Sequence, residues 1–271
     1  MDKLVSCVMP ACFGEMALLA VQCFLTQTYS HRELIVLDNN EEGNTIELLL
    51  PDDERIKYYR VEKQSVGALR NLGNSLASGE VICNWDCDDW YTPTRIEEQV
   101  KRLEETGLPV TGWHNILYYS VDTGNTYKYF IEPSGRNHAP YAMGTSHCYL
   151  KTFWEKHKYP TTGIEDFEWQ KDAMHRGLLD STDAGQLCVV RYHGDSVCGG
   201  QLKNHLGQHR QFPSVERSLV PQQFFLDLAS SITPNFCDVH NTDATLGAYI
   251  SKPETTTKIS RKKTNKPKNP S

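Results

Sequence analysis

Three carboxylates fall within four positions at Asp86-Cys87-Asp88-Asp89. Side chains of like charge this close are costly unless a cation or water neutralises them, so a divalent metal is a natural partner. In an extended loop the side chains at i and i+2 share one side, which would let Asp86 and Asp88 approach a nucleoside diphosphate and its ion together. Magnesium or manganese would suit such a loop, since both prefer oxygen ligands and fill their shells with phosphate oxygens and water. The plainer alternative is a solvated acidic turn in which Asp89 and Thr92 cap a helix beginning near Pro93. A second acidic pair, Glu165-Asp166, opens a helical stretch, and a helix N-terminus favours carboxylates with or without a chemical role. Asp38 closes the apolar run ELIVLD and precedes Asn39 and Asn40, so it reads as a ligand group or as a turn former. His193, in VVRYHGDSV, follows a strand-like run; a neutral imidazole is a reasonable manganese ligand, although a lone histidine more often has a structural or surface role.

These groups need a scaffold that brings distant positions together. LVSCVM is a short β-rich run, and GEMALLAVQCFLTQ then places Met16, Leu19, Ala20, Cys23 and Phe24 at helical spacing. The unit recurs: ELIVLD is a strand, EEGNTIELLL a helix, RIKYYRV extended, SVGALRNLGNSLAS a helix and EVICNW a strand. Alternation of this kind predicts a mostly parallel α/β sheet with right-handed crossovers. Ligands bind beyond the carboxyl ends of such strands, where Asp38 and the acidic loop both fall. Farther on, TRIEEQVKRLEE is a helix, and the aromatic and β-branched runs flanking Asp122-Thr123-Gly124-Asn125 predict an antiparallel hairpin. TFWEKHK, Glu165 to about Arg176 and VERSLVPQQFFLDLASSI read as helices, and QLCVVRYH as a strand.

The stretch SVGALRNLGNSLASGEVICNWDCDDWYTPTRI closely resembles the family 2 glycosyltransferases, whose pattern is roughly G-x-x-R-N-x-G-x-x-x-A-x-G-E-x-I followed by an acidic D-x-D-D loop. VSCVMPACF resembles the family's first strand and nucleotide-binding loop, QCFLTQTYSHRELIVLDNN its second βα unit, and GIEDFEW its later Glu-Asp motif. The chain departs from the pattern with Ala-Cys-Phe in the first loop, Asp-Asn-Asn after the second strand, and Cys87 inside the acidic motif. The resemblance implies a GT-A fold: a Rossmann-like, mostly parallel central sheet flanked by helices, with a smaller mixed acceptor-side half. Residues 1–110 would form the nucleotide-sugar-binding half, 111–250 the acceptor-binding and catalytic half, and 251–271 a basic tail. It further implies that Pro10, Asp38 and Arg70 line the nucleotide, commonly a uridine diphosphate. Asp86 would hold ribose or phosphate, and Asp88 and His193 the metal, Mn2+ or Mg2+. Asp166 would be the general base in an inverting transfer, with Glu165 touching acceptor or sugar. Trp113 and His114 are candidates for a donor-sugar or acceptor contact; Trp85, Trp90 and Trp169 read more readily as core.

Composition sets outer bounds. The 271 residues are 39% hydrophobic and 23% charged, an ordinary globular balance. No run approaches the roughly 20 apolar residues of a membrane span and the N-terminus lacks a signal-type apolar stretch, so a cytoplasmic location is expected. Nine cysteines without paired C-x-x-C spacing read mostly as small buried hydrophobes; a zinc site built from Cys83, Cys87 and a distant histidine is the minor alternative, since C-x-x-x-C spacing alone specifies little. The net charge of -6 divides unevenly, because residues 251–271 carry seven Lys/Arg against one Glu. That tail reads as a solvated, disordered end, with contact to an anionic surface or nucleic acid as the alternative. A sugar nucleotidyltransferase would carry a glycine-rich basic loop after the first strand, which MPACFGE is not. A non-catalytic nucleotide-sugar-binding module would have no need of Asp86, Asp88, Asp166 and His193 together. The acidic body disfavours a DNA-binding protein without enzymology. Surface-glycan synthesis is the expected setting, with hydroxylated bases in DNA as the alternative acceptor.

Overall fold

The computed structural model describes residues 3–40, 45–129, 141–194, 196 and 214–232. Strand β1 (Val5–Ala11) leads through a 3-10 turn to helix α1 (Ala17–Leu25) and β2 (Arg32–Asp38), then to β3 (Ile56–Arg60), α2 (Val66–Leu76) and β4 (Val81–Asn84). After the acidic loop come β5 (Trp90–Tyr91), α3 (Arg95–Thr106), β6 (Val110–His114), β7 (Leu117–Ser120) and β8 (Thr126–Lys128). The chain continues with β9 (Cys148–Leu150), α4 (Lys151–Lys156), α5 (Glu165–His175), β10 (Leu179–Asp183), β11 (Cys188–Tyr192) and α6 (Gln222–Ile232).

Seven strands form one sheet in the order β10-β6-β9-β4-β1-β2-β3. All its pairings are parallel except those of β9, which runs against β4 and β6. The carboxyl ends of β1, β2, β4 and β6 therefore share one edge. A second sheet, β5-β11-β7-β8, joins the short strand after the acidic loop to the expected hairpin and to the strand that ends just before His193.

Alternation along each strand sends side chains to opposite faces. Val5, Cys7, Met9, Leu34, Val36 and Cys83 pack with α1, α3 and the second sheet, whereas Val8, Ile35, Leu37, Ile82 and Tyr149 pack with α2, α4 and α5. Cys7, Cys83 and Cys148 lie side by side across three strands, all fully buried. All seven described cysteines are free, and only Cys12 is more than slightly exposed; Cys198 and Cys237 lie outside the described residues. Pro10 sits inside a central strand because Val8 O, on its side of β1, accepts the last bond from the β4 side, from Trp85 N. Two residues on, the ladder there has ended and proline's missing N–H costs nothing.

Several expectations need correction. The segment EEGNTIELLL is not a helix where it is described: residues 41–44 fall outside the described part, and the rest holds a single 3-10 turn, Glu47–Leu49, whose Leu48 and Leu49 are exposed. Only Ile46, fully buried, and the partly buried Leu50 reach the core, which is too little apolar anchoring to stabilise a longer helix. Strands β5, β9 and β10 were not anticipated; two or three residues carry too little periodicity to read, and β10 (LDSTD) is polar because it forms a sheet edge. The tail 251–271 lies outside the described residues.

Two features give stability tests. Gly73 of α2 lies so close to the sheet that an added Cβ would stand 2.3 Å from Val8 Cγ1. Gly73→Ala is therefore expected to destabilise by about 1–3 kcal/mol, despite alanine's better helix propensity, as a lowered urea midpoint would register. His147 is fully buried against Trp169, with ring centroids 5.1 Å apart and Nδ1 without a partner. Burial pushes its imidazole from 6.5 down to about 4. Because the unfolded chain takes up that proton first, the contribution is whole above the unfolded value and is lost as pH falls toward the folded one, about 3 kcal/mol in all. Urea titrations at neutral pH and near pH ~4.5 should show a smaller acid-side loss for His147→Leu than for the parent.

Candidate active site

The acidic loop turns instead of running extended: Asp89 N donates to Asp86 O at 3.4 Å. Asp86 and Asp88 consequently reach different partners, which relieves the repulsion that a shared side would impose. Asp86 Oδ1 accepts from Arg70 Nη2 at 3.0 Å, and Asp88 Oδ2 lies 3.3 Å from His193 Nε2. Asp89 points inward, 2% exposed, and accepts from Thr145 Oγ1 at 2.6 Å and from Arg191 N at 3.2 Å. It caps no helix, since Thr94 holds the N-cap position of α3 and makes no side-chain cap. Burial, with Asp88 and Asp86 adding repulsion, lifts the Asp89 carboxyl well above its usual range. Asp86 is raised as well, by burial and by Asp88, against the pull of Arg70.

Arg70, 3% exposed on α2, is the hinge of the arrangement. Its Nη1 donates to Glu165 Oε1 at 2.8 Å while Nη2 holds Asp86, so the loop after β4 and the first turn of α5 share one guanidinium. A surface role for this arginine is ruled out by its burial. Burial raises the Glu165 carboxyl, with Asp166 adding to the shift and Arg70 opposing it. Asp166 lies over bare backbone: an added Cβ on Gly144 would fall 2.5 Å from Asp166 Oδ2. Asn84 Nδ2 fixes that segment by donating to Gly144 O at 2.8 Å.

Asp38 ends β2 at the strand edge, as expected, yet it is 0% exposed. Its Oδ1 accepts from Asn40 N, Asn40 Nδ2 and Arg60 Nη1, and its Oδ2 from Thr45 Oγ1, Ile46 N and Tyr58 OH. A carboxylate has about four lone-pair sites, so these six donors leave none for a ligand. Burial opposes the charge, but these bonds outweigh it and hold the carboxyl below its usual range. In this arrangement Asp38 shapes the loop. Asn39, Asn40, Arg60, Val61, Glu62 and Lys63 line a cavity of about 350 Å³ beside it. Pro10 is buried beside Leu37. The Trp113 ring is 2% exposed beneath the Arg95 guanidinium and belongs to the core, which corrects its reading as a ligand contact; half-buried His114 holds Ser181 Oγ at 2.9 Å.

Three contributors escaped the sequence reading. Arg191, buried on β11, donates from Nε to Asp88 O at 2.5 Å and from Nη2 to Met16 O at 2.7 Å, pinning the acidic turn from behind. Its signal was an arginine inside the apolar run VVRY, since a charge in a buried strand demands partners. Thr145 and Gly144 carried no such signal, because nothing local marks a threonine or glycine as a neighbour of Asp89 or Asp166.

Among the described residues no three His, Cys, Asp or Glu side chains form a complete metal cage. Asp88 and His193 nevertheless supply one oxygen and one nitrogen donor that converge at 3.3 Å. That donor set fits a divalent ion such as manganese, which takes its remaining ligands from phosphate and water.

Comparison with known proteins agrees with this architecture. Residues 6–163 match the family model "Glycosyl transferase family 2". An uncharacterized glycosyltransferase of Haemophilus influenzae is 28% identical over 217 residues, 74% of this chain and 84% of that protein. The Escherichia coli UDP-Glc:alpha-D-GlcNAc-diphosphoundecaprenol beta-1,3-glucosyltransferase WfgD is 36% identical over 111 residues, 40% of this chain and 44% of its own length. Against three Rickettsia glycosyltransferases the matched part is only 24%, 16% and 13% of their length. Among solved structures, Staphylococcus aureus TarS 1-349 in complex with UDP superposes with a TM-score of 0.53 at 12% identity, covering 70% of this chain and 61% of that one. The mannosyltransferase PcManGT from Pyrobaculum calidifontis, in complex with GDP-Man and Mn2+, gives 0.56 at 12% identity over 75% and 60%. At such identity the structures speak for the fold alone, and they are GT-A enzymes. With a family model spanning more than half of its length, the chain belongs to glycosyl transferase family 2 and carries the GT-A fold.

Proposed function

We propose that this chain is a cytoplasmic, metal-assisted, inverting glycosyltransferase that moves a sugar from a UDP-sugar to an acceptor hydroxyl in glycan synthesis. The observation that carries this reading is the buried Arg70, which ties the donor-side Asp86 to Glu165 beside Asp166. A donor diphosphate held at the acidic turn and a hydroxyl held at α5 would thus meet across one charge network. Uridine as the base, and a glycan as the acceptor, take support from TarS bound to UDP and from the glucosyltransferase WfgD. The unpaired described cysteines suit a reducing compartment. Among the described residues no helix is long and apolar enough to cross a membrane.

Asp88 and His193 would hold the ion, which when bound offsets the charge that gathers on the departing diphosphate. The remaining work falls to the protein's own groups. Asp166 accepts the proton of the acceptor hydroxyl while its oxygen attacks the anomeric carbon from the face opposite the diphosphate, so configuration inverts as the bond to phosphate oxygen breaks. Arg70 keeps Asp86 and Glu165 in place and offsets their charge. Asp38 and Pro10 shape the base-side wall from within the sheet.

Calorimetry of UDP with and without manganese tests the donor site. Manganese-dependent binding by the parent is expected, and Asp88→Asn should weaken it by at least the roughly 10- to 100-fold that loss of an outer partner costs a metal site. Folded parent protein that binds no UDP would overturn the uridine assignment. For the base, Asp166→Asn is expected to lower kcat roughly 100- to 10,000-fold with UDP affinity unchanged. A variant that kept its turnover would remove Asp166 from that role.

A further inference from the structure

Two large apolar side chains flank Asp166 in the open: Ile164 is 66% exposed and Phe167 38%. Both lie at the first turn of α5, which buries its opposite side through Trp169, Gln170 and Ala173. The Phe167 ring does not stand alone. The Tyr141 ring lies 6.2 Å from it, tilted by 36°. The segment that carries Tyr141 is fastened along α5, because Ala142 N donates to Gln170 Oε1 at 2.9 Å and Gln170 Nε2 donates to Ala142 O at 2.8 Å. Three residues beyond Tyr141 the same segment passes beneath Asp166 at Gly144, where any side chain would collide with the carboxylate. An aromatic pair, a carboxylate and a floor of bare backbone therefore belong to one rigid element pair.

Exposed aromatic surface next to a proton acceptor suits a molecule with a hydroxyl edge and an apolar face. A sugar ring has both, since its axial C–H groups line one face and its hydroxyls project from the rim. The local charge narrows the choice further. Glu165, Asp166 and Glu168 crowd this first turn. A phosphate backbone would meet like charge there, whereas nucleic-acid acceptors are held by cations.

We propose that Phe167 and Tyr141 form the acceptor platform, on which the apolar face of a neutral sugar ring stacks with one hydroxyl turned toward Asp166. The assignment rests on Asp166 being the base, and it makes Phe167 a specificity determinant that the donor does not touch. The acceptor is then a carbohydrate, and a hydroxylated base in DNA is excluded.

Saturation-transfer NMR on the full chain tests this, with methyl glycosides of glucose, galactose and N-acetylglucosamine as probes, in the presence and absence of UDP and Mg2+. At least one glycoside should take up magnetisation, strongest on the C–H protons of one ring face. Phe167→Ala should weaken its binding roughly tenfold, and Phe167→Tyr should restore it, while UDP affinity stays at the parental value in all three proteins. Equal signals in the parent and in Phe167→Ala, or no glycoside signal from folded parent protein, would overturn the platform. So would displacement of the glycoside by an oligonucleotide that contains 5-hydroxymethylcytosine. Failure of UDP to bind would strike the donor reading instead, and the samples without nucleotide would still decide the platform.

Discussion

Charge of one sign gathered at one edge of a sheet is the constraint from which the rest of this molecule follows. Asp86, Asp88, Asp89 and Glu165 gather around this edge, and burial raises the carboxyls of Asp86, Asp89 and Glu165 above their usual range. The protein meets this with two buried arginines used in opposite ways. Arg70 donates to two carboxylates from chain positions far apart, while the Arg191 side chain donates to backbone oxygens that would otherwise add to the negative field and only its backbone N reaches a carboxylate, that of Asp89. Burial lowers the ionisation of Arg191, and Asp88 and Asp89 pull it back. That leaves Asp88 facing the His193 imidazole with, among the described residues, no arginine side chain on its carboxylate, which on the proposed reading is the place for the cation that the donor would bring.

Position in the sheet explains why this arrangement is possible at all. The β1, β2 and β4 strands end together, so groups nearly fifty residues apart share an edge. The second sheet then adds a fourth contributor, as β11 pairs with β5 immediately after the acidic turn and delivers Arg191 and His193 to it. The antiparallel β9 has a related effect. By running against its neighbours it returns the chain from the site edge and leaves the turn Gly144–Ser146 beside Asn84 and Asp89.

Much of this was legible in residue order, and the limits have physical reasons. The βαβ units showed because apolar periodicity is local, and Asp86 to Asp89 showed because crowded charge is costly wherever it occurs. The turn of that loop was missed, since its shape depends on Arg70, Thr145 and Arg191, which lie elsewhere in the chain. Asp38 illustrates the same limit from the other side. Its place at the end of ELIVLD was plain, but the donors that occupy its carboxylate come from Asn40, Thr45, Ile46, Tyr58 and Arg60, and no local pattern announces that they converge. Trp113 failed for the reason tryptophans commonly do, as a large ring next to a strand end serves packing before ligands. The platform of Tyr141 and Phe167 unites two residues whose adjacency only α5 and its neighbouring segment create.

The pairing of Asp88 with His193 across 105 residues also orders events during synthesis. The pairings among β1, β2, β3 and β4 close within the first 84 residues, whereas β11 closes against β5 only after the intervening hundred residues have left the ribosome. A nascent chain thus presents the acidic turn while the imidazole is still missing, so on the proposed reading the turn lacks the nitrogen donor of its metal site. On that reading chemical competence waits for β11. An unfinished chain would neither hold donor firmly nor waste it by transfer to water.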